Sequence, residues 1–240
     1  MNDEYSESAE FIDLLIEPFW TMLRPVLTEV LSAASPTTAV DLGAGSGHGT
    51  LLLAHTLPGA DVVAVEPSQG LRSALLARVH GDGDLRTRVT VLPSSFPDVE
   101  LPERFSAFIA MNVLGHFDTA QRDVLWSLLA ERLDRGGVAV VNLQPPAEPV
   151  SVPESVASTT RVGRLTYECR ATAEPTGDGT LTWFMTYRTL DGDTQLDERT
   201  VSYRWHLVDA DGLRAETAAH SLALAPVGDP ELGVYTITHT

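Results

Sequence analysis

The 240-residue chain contains no lysine; all 16 of its basic residues are arginine. Without lysine there is no Schiff base to a protein amine, which excludes pyridoxal-phosphate chemistry. The lysine of a phosphate-binding P-loop is excluded with it. Basic charge of any kind is scarce, since 33 acidic residues bring the formal net charge to −17. A nucleic-acid partner needs a basic face to meet its phosphates, so none is expected. Cysteine is almost missing as well. Cys169 stands alone, which rules out an internal disulfide and a cysteine-rich metal site, and it reads as a buried structural thiol. His, Asp and Glu are scattered without ligand spacing, so metal-independent chemistry is expected. No apolar run reaches the roughly 20 residues needed to span a bilayer. The opening MNDEYSESAE is acidic, unlike a signal peptide. These absences together lead to the expectation of a cytoplasmic protein with no membrane partner.

What is present is an ordinary globular composition, long enough for one domain and an appendage. Phe11, Leu14, Leu15, Phe19, Leu23, Val26, Val30 and Leu31 recur at helical spacing. Pro18 and Pro25 are expected to divide that segment into short helices. Beyond it, short apolar segments rich in β-branched residues predict strands at 39–43, 61–66, 88–93, 105–112 and 137–144. Helical patterns at 48–55, 69–79 and 120–133 lie between most of them, the last closed by Gly136 and Gly137. That alternation predicts a parallel sheet covered on both faces, an α/β fold. The link between the third and fourth strands is too short to hold much helix.

After residue 146 the pattern changes. AEPVSVPESVAST, at 147–159, reads as a Pro/Ser-rich connector. Leu165, Tyr167, Cys169 and Ala171 then alternate with polar residues, as do Leu181, Trp183, Met185 and Tyr187, and Val201, Tyr203, Trp205 and Leu207. Period-two segments joined by Gly/Asp turns predict an antiparallel meander with one wet face. The tail, LRAETAAHSLALAP and ELGVYTITH, predicts two more strands completing the main sheet.

The glycine-dense turn AVDLGAGSGHG, starting at Ala39, follows the first strand. It does not fit the dinucleotide fingerprint: in either register the third glycine would fall on His48 or Thr50. The second strand ends with Glu66, an acid suited to a ribose diol and repellent to a 2′-phosphate.

Five motifs in this order, VDLGAGSG, VAVEP, LPSSFPD, FIAMNVLGHF and LDRGGVAVV, together resemble the class I S-adenosylmethionine-dependent methyltransferases over residues 39–144. The resemblance implies a Rossmann-like three-layer sandwich with a seven-stranded sheet whose final strand is antiparallel, plus an antiparallel β excursion after the fifth strand. It implies S-adenosyl-L-methionine as cofactor, with its methionine end in the glycine turn. Asp41 would orient the turn or the cofactor's amino group, and Gly43, Ala44, Gly45 and Gly47 would let the backbone approach. Glu66 would hold the ribose, with Pro67 beside the adenine. Ser94, Ser95 and Phe96 match the loop flanking the adenine, where many members carry an aspartate that is missing near Ser95. Asn112, Val113 and Leu114 match the fourth-strand end beside the transferred methyl. AEFIDLL resembles an N-terminal covering segment, with Ile12 where a tyrosine often stands and Tyr5 as its substitute.

The excursion resembles that of amino-sugar N-methyltransferases and glycine N-methyltransferase, where it covers the substrate or builds a dimer interface; the sequence does not choose between cover and homodimer. The implied division is a helical cover at 1–36, a cofactor-binding core at 37–150, the excursion at 151–208 and the last two strands at 209–240. A methyl on a sulfonium is already activated, so the protein's task is to align a nucleophile. His116 and His206 are the candidate general bases, and His48 is read as a helix cap or a contact to the cofactor carboxylate. The implied function is methyl transfer to a small molecule in specialised, natural-product metabolism. Alternatives are a non-methylating enzyme, of cyclase type, that keeps the cofactor as a structural element, a nicotinamide-dependent dehydrogenase, and a protein methyltransferase.

Overall fold

A computed structural model describes residue 3, residues 5–177 and residues 179–240. The first helix, α1 (Ala9–Leu31), runs unbroken through Pro18 and Pro25, against the expectation of short pieces. Both prolines lie on the exposed side, where water reaches the carbonyls they leave unbonded. Phe11, Leu15, Trp20, Leu23, Leu27 and Leu31 form the buried face that carries the helix.

Next come β1 (Thr38–Leu42), α2 (His48–Thr56), β2 (Asp61–Val65), α3 (Gln69–Gly81), the single-turn α4 (Leu85–Arg88), β3 (Val89–Leu92) and β4 (Phe105–Ala110). No helix lies between β3 and β4, as their short link predicts. After β4 a 3-10 turn, η1 (Leu114–His116), leads into α5 (Thr119–Arg132) and β5 (Leu133–Asn142). Asp118 opens α5 with a capping box: its carboxylate accepts from the Gln121 N–H at 2.8 Å, and the Gln121 side chain accepts from the Asp118 N–H at 3.0 Å. The expected glycine stop is absent. Leu133 leads straight into β5, and Gly136 and Gly137 lie within that strand, where its register against β4 shifts.

The residues read as a connector are largely a strand, β6 (Val152–Val162), paired antiparallel with β7 (Leu165–Gly177). Its serines and Pro153 hide it because β6 is a sheet edge, where one side needs no partner and most side chains face water. β7, β8 (Thr180–Asp191) and β9 (Thr194–His206) complete the predicted meander as a four-stranded sheet. The tail departs from expectation at its start. Ala210–Ala219 is a helix, α6, capped by Asp209, which accepts from the Gly212 N–H at 2.6 Å. Leu213 and Thr217, one turn apart, are its buried positions. β10 (Leu222–Pro226), a 3-10 turn η2 (Pro230–Leu232) and β11 (Val234–His239) follow.

The main sheet has seven strands in the order β3-β2-β1-β4-β5-β11-β10, with β11 antiparallel to both of its neighbours. One side is packed by α1, α2 and α3 through Leu23, Leu27, Leu53 and Leu75 against Ala39, Val62 and Ile109. The other is packed by α5 and α6 through Leu125, Trp126, Leu129 and Leu213 against Val40, Phe108 and Val141. The small sheet joins this body through α1, whose Phe11 and Leu15 pack on Cys169 and Tyr187. Cys169 is 3% exposed and burial pushes its thiol up to about 11, so it is the inert structural thiol that the sequence suggested. Among the described residues no helix is long and apolar enough to cross a membrane.

Candidate functional site

Strand order changes direction at β1: the chain moves outward through β2 and β3, then returns to place β4 on the other side of β1. Such a switch point opens a crevice at the carboxyl ends of the strands. Here it is a cavity of about 650 Å³. The turn after β1 lines it with Gly43, Ala44 and Gly45, the end of β2 with Glu66 and Pro67, and the loop after β3 with Ser95 and Phe96. Asn112, Val113 and His116 enter from beyond β4, and His206 from β9.

Four sequence candidates do not line it; one of them, Leu114, is buried in the core instead. Gly47 caps α2, Ser94 sits one residue short of the wall, and Asp41 lies beneath the turn. Asp41 is 2% exposed and accepts from the Thr50 hydroxyl at 2.6 Å, which ties β1 to α2. Burial, with the Glu66 charge added, pushes its carboxyl up to about 7.

The turn is folded against β2: the N–H groups of Gly43 and Ala44 both donate to the Val65 carbonyl at 2.9 Å. Gly45 sits at φ +57, and a Cβ there would point into open space. Left-handed backbone beside an open cavity is where glycine allows close approach of a ligand. The Gly45 N–H donates to Glu66 Oε2 and the Ser68 N–H to Glu66 Oε1, both at 2.7 Å. A carboxylate has about four acceptor positions, so Glu66, 4% exposed, keeps capacity toward the cavity. Burial raises its pKa, and the two backbone donors oppose that rise.

At the end of β4, Asn112 adopts φ +59, which asparagine tolerates better than most residues. Asn142 at the end of β5 holds it there: the Asn112 N–H donates to Asn142 Oδ1 at 2.6 Å, and Asn142 Nδ2 donates to Asn112 Oδ1 at 2.8 Å. His116 lies one turn farther on, edge-on to Trp205 with ring centres 4.9 Å apart. Its Nε2 is 2.7 Å from the Tyr5 hydroxyl. Burial, with the nearby His206 adding to it, holds the imidazole down to about 4. Burial also lowers His206, with Arg204 beside it. Both rings are neutral at pH 7. Trp205 reaches η1 because residue 115 is glycine; a Cβ there would fall 1.8 Å from the indole.

The N-terminal segment closes the remaining side. Tyr5, Ile12, Ile16 and Trp20 all line the cavity. Tyr5 stacks on Tyr203, whose hydroxyl lies 2.6 Å from Ser8 Oγ. His48 stacks on Trp20 and lies 3.0 Å from Asp13, which also receives a two-pronged bond from Arg78 at 2.7 and 2.8 Å. His48, with Arg78 behind it, holds the Asp13 carboxyl well below the usual range. His48 thus faces both the cavity and this ion network, and its side chain caps no helix.

The sequence reading missed Asp3, Trp20, Asp98, Asn142 and Arg204. Asp98 was legible: it ends the quoted loop LPSSFPD and lines the cavity, three residues beyond the place where an aspartate was sought. The others reach the site only through long-range packing. Among the described residues no group of three or more His, Cys, Asp or Glu is placed to hold a metal ion.

Residues 39–137 match the family model described as methyltransferase domain. Ribosomal RNA small subunit methyltransferase G of Prochlorococcus marinus (strain MIT 9303) is 35% identical over 79 residues, 33% of this chain and 32% of that protein. The chain thus matches about a third of the length of that curated relative. Among solved structures, the CcbJ methyltransferase from Streptomyces caelestis superposes with a TM-score of 0.74 at 18% identity, covering 100% of this chain and 98% of that one. DesVI from Streptomyces venezuelae gives 0.71 at 18%, covering 100% and 93%. An amino pentose methyltransferase of Micromonospora echinaspora, solved with S-adenosylmethionine bound and involved in calicheamicin biosynthesis, gives 0.68 at 15%, covering 98% and 92%. At these identities the likeness is one of fold, and it extends over the small sheet as well as the large one.

Proposed function

We propose that the chain, whose residues 39–137 match the methyltransferase-domain family, is an S-adenosylmethionine-dependent methyltransferase acting on a small-molecule acceptor, of the kind met in natural-product pathways. The observation that carries this reading is the Glu66 carboxylate: buried, held by two backbone N–H groups, and open to the cavity at its remaining acceptor positions. That arrangement suits a cis-diol.

The rest of the lining fits the same group. The backbone at Gly45 leaves room for the amino-acid end, and Val65, Phe96 and Val113 supply apolar walls for a flat base. Asp98 offers a carboxylate for an exocyclic amine. When bound, the cofactor supplies a methyl group activated by its sulfonium. The work left to the chain is alignment, water exclusion and proton handling. Alignment of this kind is worth roughly 7–11 kcal/mol. It falls to the Asn112–Asn142 pair, which fixes the end of β4, and to Tyr5, Trp20 and the small sheet, which narrow the cavity. His116 and His206 are both held below their ordinary values by burial, so each is neutral at pH 7, the form a proton acceptor needs. His206 is half-buried and can pass that proton to water, while His116 Nε2 is engaged with Tyr5.

The natural-product assignment is supported by the amino pentose methyltransferase involved in calicheamicin biosynthesis, whose likeness covers 98% of this chain. The experiment is a calorimetric titration with S-adenosylhomocysteine, repeated with Glu66→Gln. Wild type is expected to bind, and the variant to bind about 10- to 100-fold more weakly, since hydrogen bonds to a charged group contribute about 1.5–3 kcal/mol. A folded wild-type protein that binds no S-adenosylhomocysteine overturns the proposal.

A further inference from the structure

Four arginines of the small sheet are paired with acids, while Arg161 donates to the Gly163 carbonyl at 3.1 Å. Arg164 meets Asp191 at 2.9 Å, Arg170 meets Glu154 at 2.9 Å, Arg188 meets Glu198 at 2.6 Å, and Arg199 meets Asp197 at 3.0 Å. Arg204, on β9, departs from this pattern. Its cross-strand neighbour is Thr182, and no ion pair or side-chain hydrogen bond joins it to any described residue.

Its position is fixed by its neighbours. Side chains alternate along a strand. Tyr203 and Trp205 take one side of β9, packing on Tyr5 and Ser8 and on Gly115 and His116. Arg204 and His206, two residues apart, share the other side, and both line the cavity. Gln121, from the first turn of α5, lines it too. Beyond the lining, Asp118 is the carboxylate beside His206, and it accepts from the Gln121 N–H at 2.8 Å. The acids of the lining, Asp3, Glu66 and Asp98, all belong to the ends of β2 and β3 or the segment laid across them. The cavity is therefore polarised, acidic where the adenosyl group would lie and cationic where β9 covers it.

We infer that Arg204, with His206 and Gln121 beside it, is the subsite that recognises an anionic group, phosphate or carboxylate, carried by the methyl acceptor. This rests on the methyltransferase reading for the word acceptor, although the anion subsite itself is testable without it. Arg204 is a specificity-determining residue: its five donors in a planar fork match either oxyanion. Its exposure explains why it has to be read by ligand and not by stability, because an exposed arginine without a partner contributes little to folding.

The test uses three probes: glucosamine 1-phosphate, glucosaminic acid and neutral methyl glucosaminide. Their binding to the full chain is measured by ligand-observed NMR, with and without S-adenosylhomocysteine, for wild type, R204Q and R204K. In wild type at least one anionic probe is expected to bind tenfold or more tightly than the neutral one, and which anionic probe wins distinguishes phosphate from carboxylate. R204Q is expected to abolish that preference while leaving S-adenosylhomocysteine binding unchanged, and R204K to restore part of it. Equal binding of all three probes by wild type, no binding of either anionic probe, or a preference that survives R204Q each overturns the inference. Loss of S-adenosylhomocysteine binding by wild type fails the methyltransferase reading separately, and the arm without that ligand still decides Arg204.

Discussion

At the scale of single residues, the site is a set of titratable groups moved away from their ordinary values by burial. His116 and Asp41 move in opposite senses, and the signs matter. Burial holds His116 down to about 4, below the roughly 6.5 of an unfolded histidine. As pH falls through 6.5 the unfolded state takes up a proton that the native state refuses, so native stability is lost between about 6.5 and 4. Asp41, raised to about 7, does the reverse: its native form holds a proton that the unfolded chain has released, and stability is lost as pH rises toward 7. Comparing wild type with His116→Gln cancels the Asp41 contribution, which both proteins share. Urea unfolding at pH 7 and pH 5 is expected to show wild type losing about 1.5–2 kcal/mol relative to the variant on acidification. An unchanged difference would place His116 in contact with water, against its burial here.

At the scale of elements, the departures from the sequence reading share a cause. Pro18 and Pro25 argue locally for helix breaks, and β6 looks locally like a linker. In each case a partner overrides the local signal: the main sheet and β7 under α1, and the single paired side of β6. The override in α1 has a cost that can be measured. Pro18→Ala restores an N–H for the Leu14 carbonyl on an exposed helix face and is expected to raise the free energy of unfolding by roughly 1–3 kcal/mol in urea titration. A fall in stability would mean that the proline ring itself packs against something. The α6 helix was misread for a different reason. Ten residues rich in alanine, with two buried positions, leave too little periodic signal beside the following LALAP strand.

At the scale of the whole molecule, charge is the dominant property. A net −17 is set against relatives that act on RNA and match only about a third of their length. A mobility-shift titration with a structured RNA at low salt is expected to give no complex below about 10⁻⁴ M protein, the weak end of non-specific binding. A shift at micromolar protein would reveal a basic face that the fold does not present.

The sequence alone determined the alternation of strands and helices, the glycine turn, Glu66 at the second strand end and the meander that follows the fifth strand. Each is a local pattern: hydrophobic period, turn chemistry, or a motif within a dozen residues. Only the tertiary structure decided that Tyr5 meets His116 across 111 positions, that Asn142 fixes Asn112, and that Trp205 lies over Gly115. It also left Arg204 facing the cavity without an acid. Those pairings join segments far apart in sequence, and their partners are fixed by how sheets and α1 pack. The half of the site that would hold the cofactor is contiguous in motifs and could be read. The half that would choose the acceptor is assembled from the N-terminus, η1 and β9, which no local period records.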